Sequence, residues 1–238
     1  MPITITSIAG GAPKPVFDRL GPLFEQRTGS RLNALYDTMS GIRDRVAAHE
    51  ALDVLVMPVP LIEAYVKDGT VLSDGRAALA NIGLAVGVKA GAKIPDISTA
   101  DALRQALRAA RSVVHAPPSA TPSGAQSDKV IKELGLSEAL AGRVTHKAGL
   151  AGGIAMIASG EADIGIFPKS EIVNAAGVAL AGALPGALQL TIVYGAGVTT
   201  ASPQAEAVAA FIQFLIEPES RKIWNACGFD PLGISNAG

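Results

Sequence analysis

Residues 151–166 read Ala-Gly-Gly-Ile-Ala-Met-Ile-Ala-Ser-Gly-Glu-Ala-Asp-Ile-Gly-Ile. Apolar residues recur at helical spacing over Leu150–Ser159, and Gly160 supplies the left-handed stop that ends a helix. Ala162–Phe167 then runs apolar for the length of one buried strand. A helix that empties through a glycine into a strand buried on both faces is one half of a βαβ crossover, and it predicts a sheet with parallel strands and helices on its faces.

Working outward, the same alternation covers the chain. Strands are predicted at Ile3–Ile8, Arg31–Tyr36, Asp53–Met57, Ile82–Val88, Ser112–His115, Val144–Lys147 and Leu188–Val198. Between and after them come helices at Pro15–Thr28, Ile42–His49, Leu61–Asp68, Thr99–Ala110, Ser123–Leu134, Pro203–Glu217 and Glu219–Ala226. In the first helix Val16, Leu20, Leu23 and Phe24 are expected on the buried face and Gly29 at the carboxyl cap; Ser98 or Thr99 caps the fourth. No internal repeat is seen at a fixed period. The expected architecture is α/β with two lobes, 1–82 plus 196–238 and 83–195, each a mixed sheet flanked by helices, joined by two crossover strands at Ile82–Val88 and Leu188–Val198. The small residues of Gly83–Gly91 read as a hinge.

Composition limits the function. The chain has 238 residues, 49% of them hydrophobic and 17% charged, which is enough to build a sizeable core. Net charge is −1 with both signs dispersed, so no basic stripe exists for nucleic acid. The dispersed charge and lack of an apolar surface stripe point to a monomer. Cys227 stands alone, which leaves no disulfide framework and no cysteine metal cluster. No run approaches the roughly 18 apolar residues of a membrane span. Met1-Pro2 leads directly into the first strand. The protein is therefore expected in the cytoplasm if Met1 is the native start, or in the periplasm if a signal peptide has been removed.

Function is expected at the strand–loop–helix junctions, because a helix start presents unpaired N–H groups and a partial positive charge. A small anion held there needs few charged side chains. Gly10 and Gly11 offer backbone donors before the first long helix, and Thr38 and Ser40 add hydroxyls before the second, where ordinary capping serves equally well. Ser119, Thr121 and Ser123 lie in a Pro/Ser-rich loop, which a stiff connector would also explain. Gly152 and Gly153 open the helix after Val144–Lys147, and Lys169 follows the next strand as a charge partner for a carboxylate. His115 and His146 end two strands. They could exchange protons near neutral pH, or simply be partly buried polar side chains. No catalytic triad, metal-ligand spacing or cofactor motif is present.

Four stretches carry a resemblance: Ser7–Gly11, Thr38–Ile42 followed by Asp53–Val56, Ala151–Ile166, and Phe211–Leu215 with Pro218-Glu219 and Gly228–Pro231. They are collinear over nearly the whole chain and resemble the type II periplasmic solute-binding proteins, in the molybdate-binding-like branch that also includes aconitate-isomerase-like proteins. The resemblance implies a ligand cleft between two lobes, a ligand hydroxyl at Ser40, and a small carboxylate or oxyanion delivered to a membrane permease of an ABC transporter. The chain departs from the oxyanion-binding pattern in lacking a Ser near Ala12 and in reading Pro117–Gly124 where an Asp-Pro-Ala-x-Gly pattern stands, which implies another ligand than a tetrahedral oxyanion. The isomerase-like members imply a second reading, cis/trans isomerisation of a small unsaturated carboxylic acid, with His115, His146, Lys147 and Lys169 as candidates to move the proton.

Overall fold

The computed structural model describes residues 2–233. The chain divides into two compact units, one running up to Ile82 and resuming at Ile192, the other Gly83–Thr191. In the first unit the elements run Thr4–Ala9 (β1), Lys14–Thr28 (α1), Arg31–Tyr36 (β2), Met39–Ala47 (α2), Val54–Pro58 (β3) and Val59–Lys67 (α3). Val71–Lys89 (β4) leaves this unit after Ile82, and Thr191–Thr199 (β9) enters it. Ala205–Ile216 (α8) and Pro218–Ala226 (α9) follow. The second unit holds the end of β4, then Ala100–Ala109 (α4), Val113–His115 (β5), Pro122–Glu133 (α5) and Val144–His146 (β6). A π-helical turn at Gly149–Gly153 leads into Ile154–Ser159 (α6), then Ile164–Pro168 (β7), Lys169–Val173 (α7) and Val178–Ala183 (β8).

Each unit has a mixed sheet flanked by helices, and β4 and β9 are the two strands that cross. In the first unit the strand order is β2-β1-β3-β9-β4. β1 pairs parallel with β2 and with β3, and β9 runs antiparallel to β3. In the second the order is β4-β7-β5-β6, with β8 on β4. β5 is parallel to β6 and β7, while β4 is antiparallel to β7. All three parallel strands of either unit therefore end on one edge of its sheet, and every helix start that follows them lies on that edge.

The sheets are held by apolar layers. In the first unit α1, α8 and α9 interlock rings edge-to-face, with Phe24 4.9 Å from Phe211 and Trp224 4.8 Å from Phe229. Cys227 is fully buried beside them, and burial raises its thiol pKa. The buried face of α1 is Val16, Phe17, Leu20, Gly21 and Phe24. Leu23, expected inside, is 46% exposed: it stands about 100° around the helix from Phe24 and about 120° from Phe17, at the margin of the stripe. In the second unit Leu84, Val86, Leu103, Leu107, Val113 and Ile166 fill one layer, and Phe167, Ile157 and Val114 another. Among the described residues no helix is long and apolar enough to cross a membrane.

Several boundaries differ from the sequence reading. Of the two caps offered for α4, Thr99 is the one used, accepting from the Ala102 N–H at 3.1 Å. The helix expected over Leu150–Ser159 is broken in two because Gly152 adopts φ 107°. β8, α7 and the first half of β4 were not expected.

Asp53 ties the opposite edge of the first sheet. Its Oδ2 accepts the Thr6 N–H at 2.8 Å and its Oδ1 accepts the Ser202 hydroxyl at 2.6 Å, with the residue 8% exposed. Its own N–H donates to the Thr6 carbonyl and its carbonyl accepts from Thr199 N–H. Asp53→Ala strands a half-buried N–H and hydroxyl, and is expected to lower unfolding free energy by about 1–3 kcal/mol in a denaturant titration. An unchanged midpoint would contradict this role.

Candidate functional site

Two helix starts, one in each unit, are built alike. Thr38-Met39-Ser40-Gly41 opens α2 and Thr121-Pro122-Ser123-Gly124 opens α5. Thr38 Oγ1 accepts the Gly41 N–H at 3.1 Å, and Thr121 Oγ1 accepts the Gly124 N–H at 3.0 Å. Each capping hydroxyl also meets the serine hydroxyl two residues on, at 3.0 Å for Thr38–Ser40 and 3.1 Å for Thr121–Ser123. The threonine satisfies one of the orphan amides of a helix start, and the serine hydroxyl is locked beside it.

Both glycines make room over the first turn, Gly41 for a side chain and Gly124 for the backbone of the preceding loop. A methyl on Gly41 would strike the Asp37 carboxylate, and one on Gly124 would come 2.5 Å from the carbonyls of Ala116 and Pro117. This repeated Thr-x-Ser-Gly start is a signal in the sequence that a search for fixed-period repeats passes over.

In the first unit Gly10 and Gly11 join β1 to α1 on the same edge as Thr38 and Ser40. The Gly10 N–H donates to the Val56 carbonyl at 3.3 Å, and the Asp37 N–H donates to the Ala9 carbonyl. Gly10 also makes room for other groups, since a methyl there would lie 2.7 Å from Met39 Cε and 2.9 Å from Tyr194 Oη. Thr38 and Ser40 are half-buried.

In the second unit, Ser119 sits on an exposed turn closed by the Ala120 N–H to the Pro117 carbonyl, apart from the Thr121–Ser123 pair. Gly152 and Gly153 lie in the π-helical turn after β6. A methyl on Gly152 would come 3.2 Å from Lys147 Nζ, and one on Gly153 would meet the Lys147 carbonyl and the Phe167 ring. Lys147 is exposed and Lys169, at the start of α7, is half-buried.

His115 and His146 stand opposite each other in the parallel β5–β6 register, their rings 4.8 Å apart and tilted by 56°. They do not share one environment. His115 is fully buried, whereas His146 is exposed, which corrects the expectation that both are partly buried: β5 is inside the sheet and β6 is its edge. His115 Nδ1 lies 2.8 Å from the Ala116 carbonyl. A carbonyl only accepts, so Nδ1 carries the proton and Nε2 presents a lone pair. That Nε2 is buried with no hydrogen-bond partner among the described residues. Burial first, and His146 second, push the His115 pKa down, while the Ala116 carbonyl and Asp128 oppose them. His115 is a neutral base held in one tautomer.

Sequence reasoning missed Glu171, in the first turn of α7. Its carboxyl group rests on the bare Cα of Gly149, and burial raises its pKa to about 7. A single acidic residue two positions after Lys169 gives no signal of this in the sequence. Among the described residues no group of three or more His, Cys, Asp or Glu side chains is placed to hold a metal ion.

Comparison with known proteins bears on these features together. Aconitate isomerase of a Pseudomonas species is 28% identical over 235 residues, covering 96% of this chain and 88% of that protein. The periplasmic molybdate-binding protein of Azotobacter vinelandii superposes with a TM-score of 0.81 at 19% identity, over 94% of this chain and 98% of that one. The sulfate-binding protein of Mycobacterium tuberculosis gives 0.76 at 21% identity, over 97% and 88%. The family described as bacterial extracellular solute-binding protein matches residues 5–230. With residues 5–230 matched, the chain belongs to the bacterial extracellular solute-binding protein family.

Proposed function

We propose that this protein captures a small anionic solute, a carboxylate or oxyanion, as the substrate-binding component of a transport system with a membrane permease as partner. The observation that carries the reading is the doubled Thr-x-Ser-Gly helix start. In α2 the first turn leaves the Met39 and Ser40 N–H groups uncommitted, and in α5, where Pro122 has no N–H, that of Ser123, each beside a fixed serine hydroxyl on the edge where the parallel strands end. Such donors suit negative oxygen atoms and need no formal charge. Gly10, Gly11, Gly152, Gly153, Ser119 and Lys169 are proposed as further contacts, and Gly83–Gly91 as the segment that rotates on capture. The relatives named above for molybdate, sulfate and aconitate give the probe set.

A second reading is favoured by the aconitate isomerase relative and by His115. Moving a double bond between neighbouring carbons requires a base to remove one proton and an acid to return another. A buried imidazole with a bare Nε2 is equipped for the first of these. Lys147, His146 and Lys169 are proposed around it.

Calorimetry with molybdate, sulfate and aconitate decides the binding reading. At least one should bind, and Ser40→Ala and Ser123→Ala should each weaken it about tenfold, roughly 1.4 kcal/mol, with little change in thermal midpoint. No binding by any of the three would remove the reading. For the second reading, NMR of aconitate incubated with the protein should show the cis and trans forms interconverting. His115→Gln should then slow turnover by about 10²–10⁴ while binding stays within a few-fold. Aconitate that binds and stays unconverted would leave capture alone.

A further inference from the structure

The π-helical turn Gly149–Gly153 is flanked by two ionisable side chains that its glycines admit. A methyl on Gly149 would collide with Glu171 Oε2, and a methyl on Gly152 would crowd Lys147 Nζ. An acid from α7 and an amine from the end of β6 thus lie along one five-residue turn, on the edge that carries Thr121 and Ser123. They make no ion pair with each other, and the Glu171 carboxyl has no hydrogen-bond or ion-pair partner among the described residues.

The strands on which α7 packs offer Glu171 nothing ionic. α7 packs on β7 and β8, and neither strand holds a titratable residue. The charged groups on the elements around it are Lys169 in α7 itself and Lys147 beyond the turn, with His146 and the buried His115 on the neighbouring strand ends. Burial is what raises its pKa to about 7, with no charged neighbour contributing. Half-buried beside the turn and bonded to no protein group among the described residues, the carboxyl can reach a ligand oxygen.

We propose that Glu171 is a specificity-determining residue that meets the anion as a neutral carboxylic acid, donating its O–H to a ligand oxygen while Lys147 supplies the countercharge. The inference rests on the anion-capture reading above. The balance is simple: the ionised Glu171 takes one proton from solvent as the anion binds, and no other bond changes. An ionised Glu171 would repel the guest; a protonated one grips it. Selection follows for anions with an oxygen able to accept that proton's hydrogen bond, and against neutral solutes.

The sign of the pH dependence is fixed. The bound anion favours the protonated form, so the Glu171 pKa rises further in the complex. Affinity is then flat below the free-state value and falls by roughly tenfold per pH unit above about 7, until the bound-state pKa is reached.

The test is calorimetry on the full chain with sulfate and with aconitate, at pH 8, in two buffers of different ionisation enthalpy. Sulfate has no titration of its own in this range, so any proton it carries in belongs to the protein. The wild type should take up close to one proton per anion. Glu171→Gln keeps an N–H donor but cannot titrate. It should bind within a few-fold of wild type at pH 6, take up no proton at Glu171 and bind more tightly than wild type at pH 8. Carbon-detected NMR of the Glu171 carboxyl in the unaltered protein should show its pKa rise on adding sulfate, independent of how the variant folds. Binding with no proton uptake, uptake unchanged in Glu171→Gln, or a Glu171 pKa that does not move would each overturn the proposal while leaving anion capture intact. A wild type that binds neither probe removes both.

Discussion

An α-helix begins with amide N–H groups that its own backbone cannot satisfy, and everything distinctive about this protein is arranged around that deficit. The parallel pairing of β1 with β2 and β3, and of β5 with β6 and β7, collects the helix starts of each unit on one edge. In each helix the threonine then takes two amides, one on its hydroxyl (Gly41, Gly124) and one on its carbonyl (Ile42, Ala125). The glycine at the third helical position follows from the same arrangement. At Gly124 the loop backbone closes over the first turn and a side chain would hold it off, while at Gly41 the Asp37 carboxylate takes the space. Sheet direction, loop length and two glycines are thus consequences of one requirement.

Stability is concentrated away from that edge. The interlocked rings of Phe17, Phe24, Phe211, Trp224 and Phe229 and the Asp53 network lie on the helical face and opposite end of the first sheet. The candidate edge keeps the groups that cost stability: a buried His115 Nε2 with no partner and an acid resting on a bare glycine. Unpaired buried polar atoms also occur elsewhere, at Ser7, Asn81 and Gln204 of the first unit, so they do not by themselves mark a site.

Much of the fold was legible in the sequence because its elements are strongly patterned. Arg31–Tyr36 was read at its observed bounds, and the strand–helix order through β3, α5 and α9 stands with shifts of a few residues. What escaped has physical reasons. The start of β4 contains Ser73-Asp74-Gly75-Arg76, polar residues that alternate with nothing; it is a strand because β9 pairs beside it. β8 is Val-Ala-Leu-Ala-Gly-Ala, small residues of low strand propensity kept extended by β4. At the candidate edge the Thr-x-Ser pairs were legible as caps. The unequal burial of His115 and His146 was not, because it depends on which of two adjacent strands lies at the sheet edge. Glu171 was not legible because its neighbour Gly149 is remote in sequence and reveals itself only by the volume it lacks.

The buried Cys227 carries a practical corollary. Its side chain is fully buried, with the sulfur 3.5 Å from the Pro15 carbonyl, and burial raises its thiol pKa, so it is a poor nucleophile toward maleimides in the folded protein. A cysteine introduced on an exposed helix position would then be the reactive thiol, giving one-site attachment of a fluorophore to the native background without first deleting a core residue.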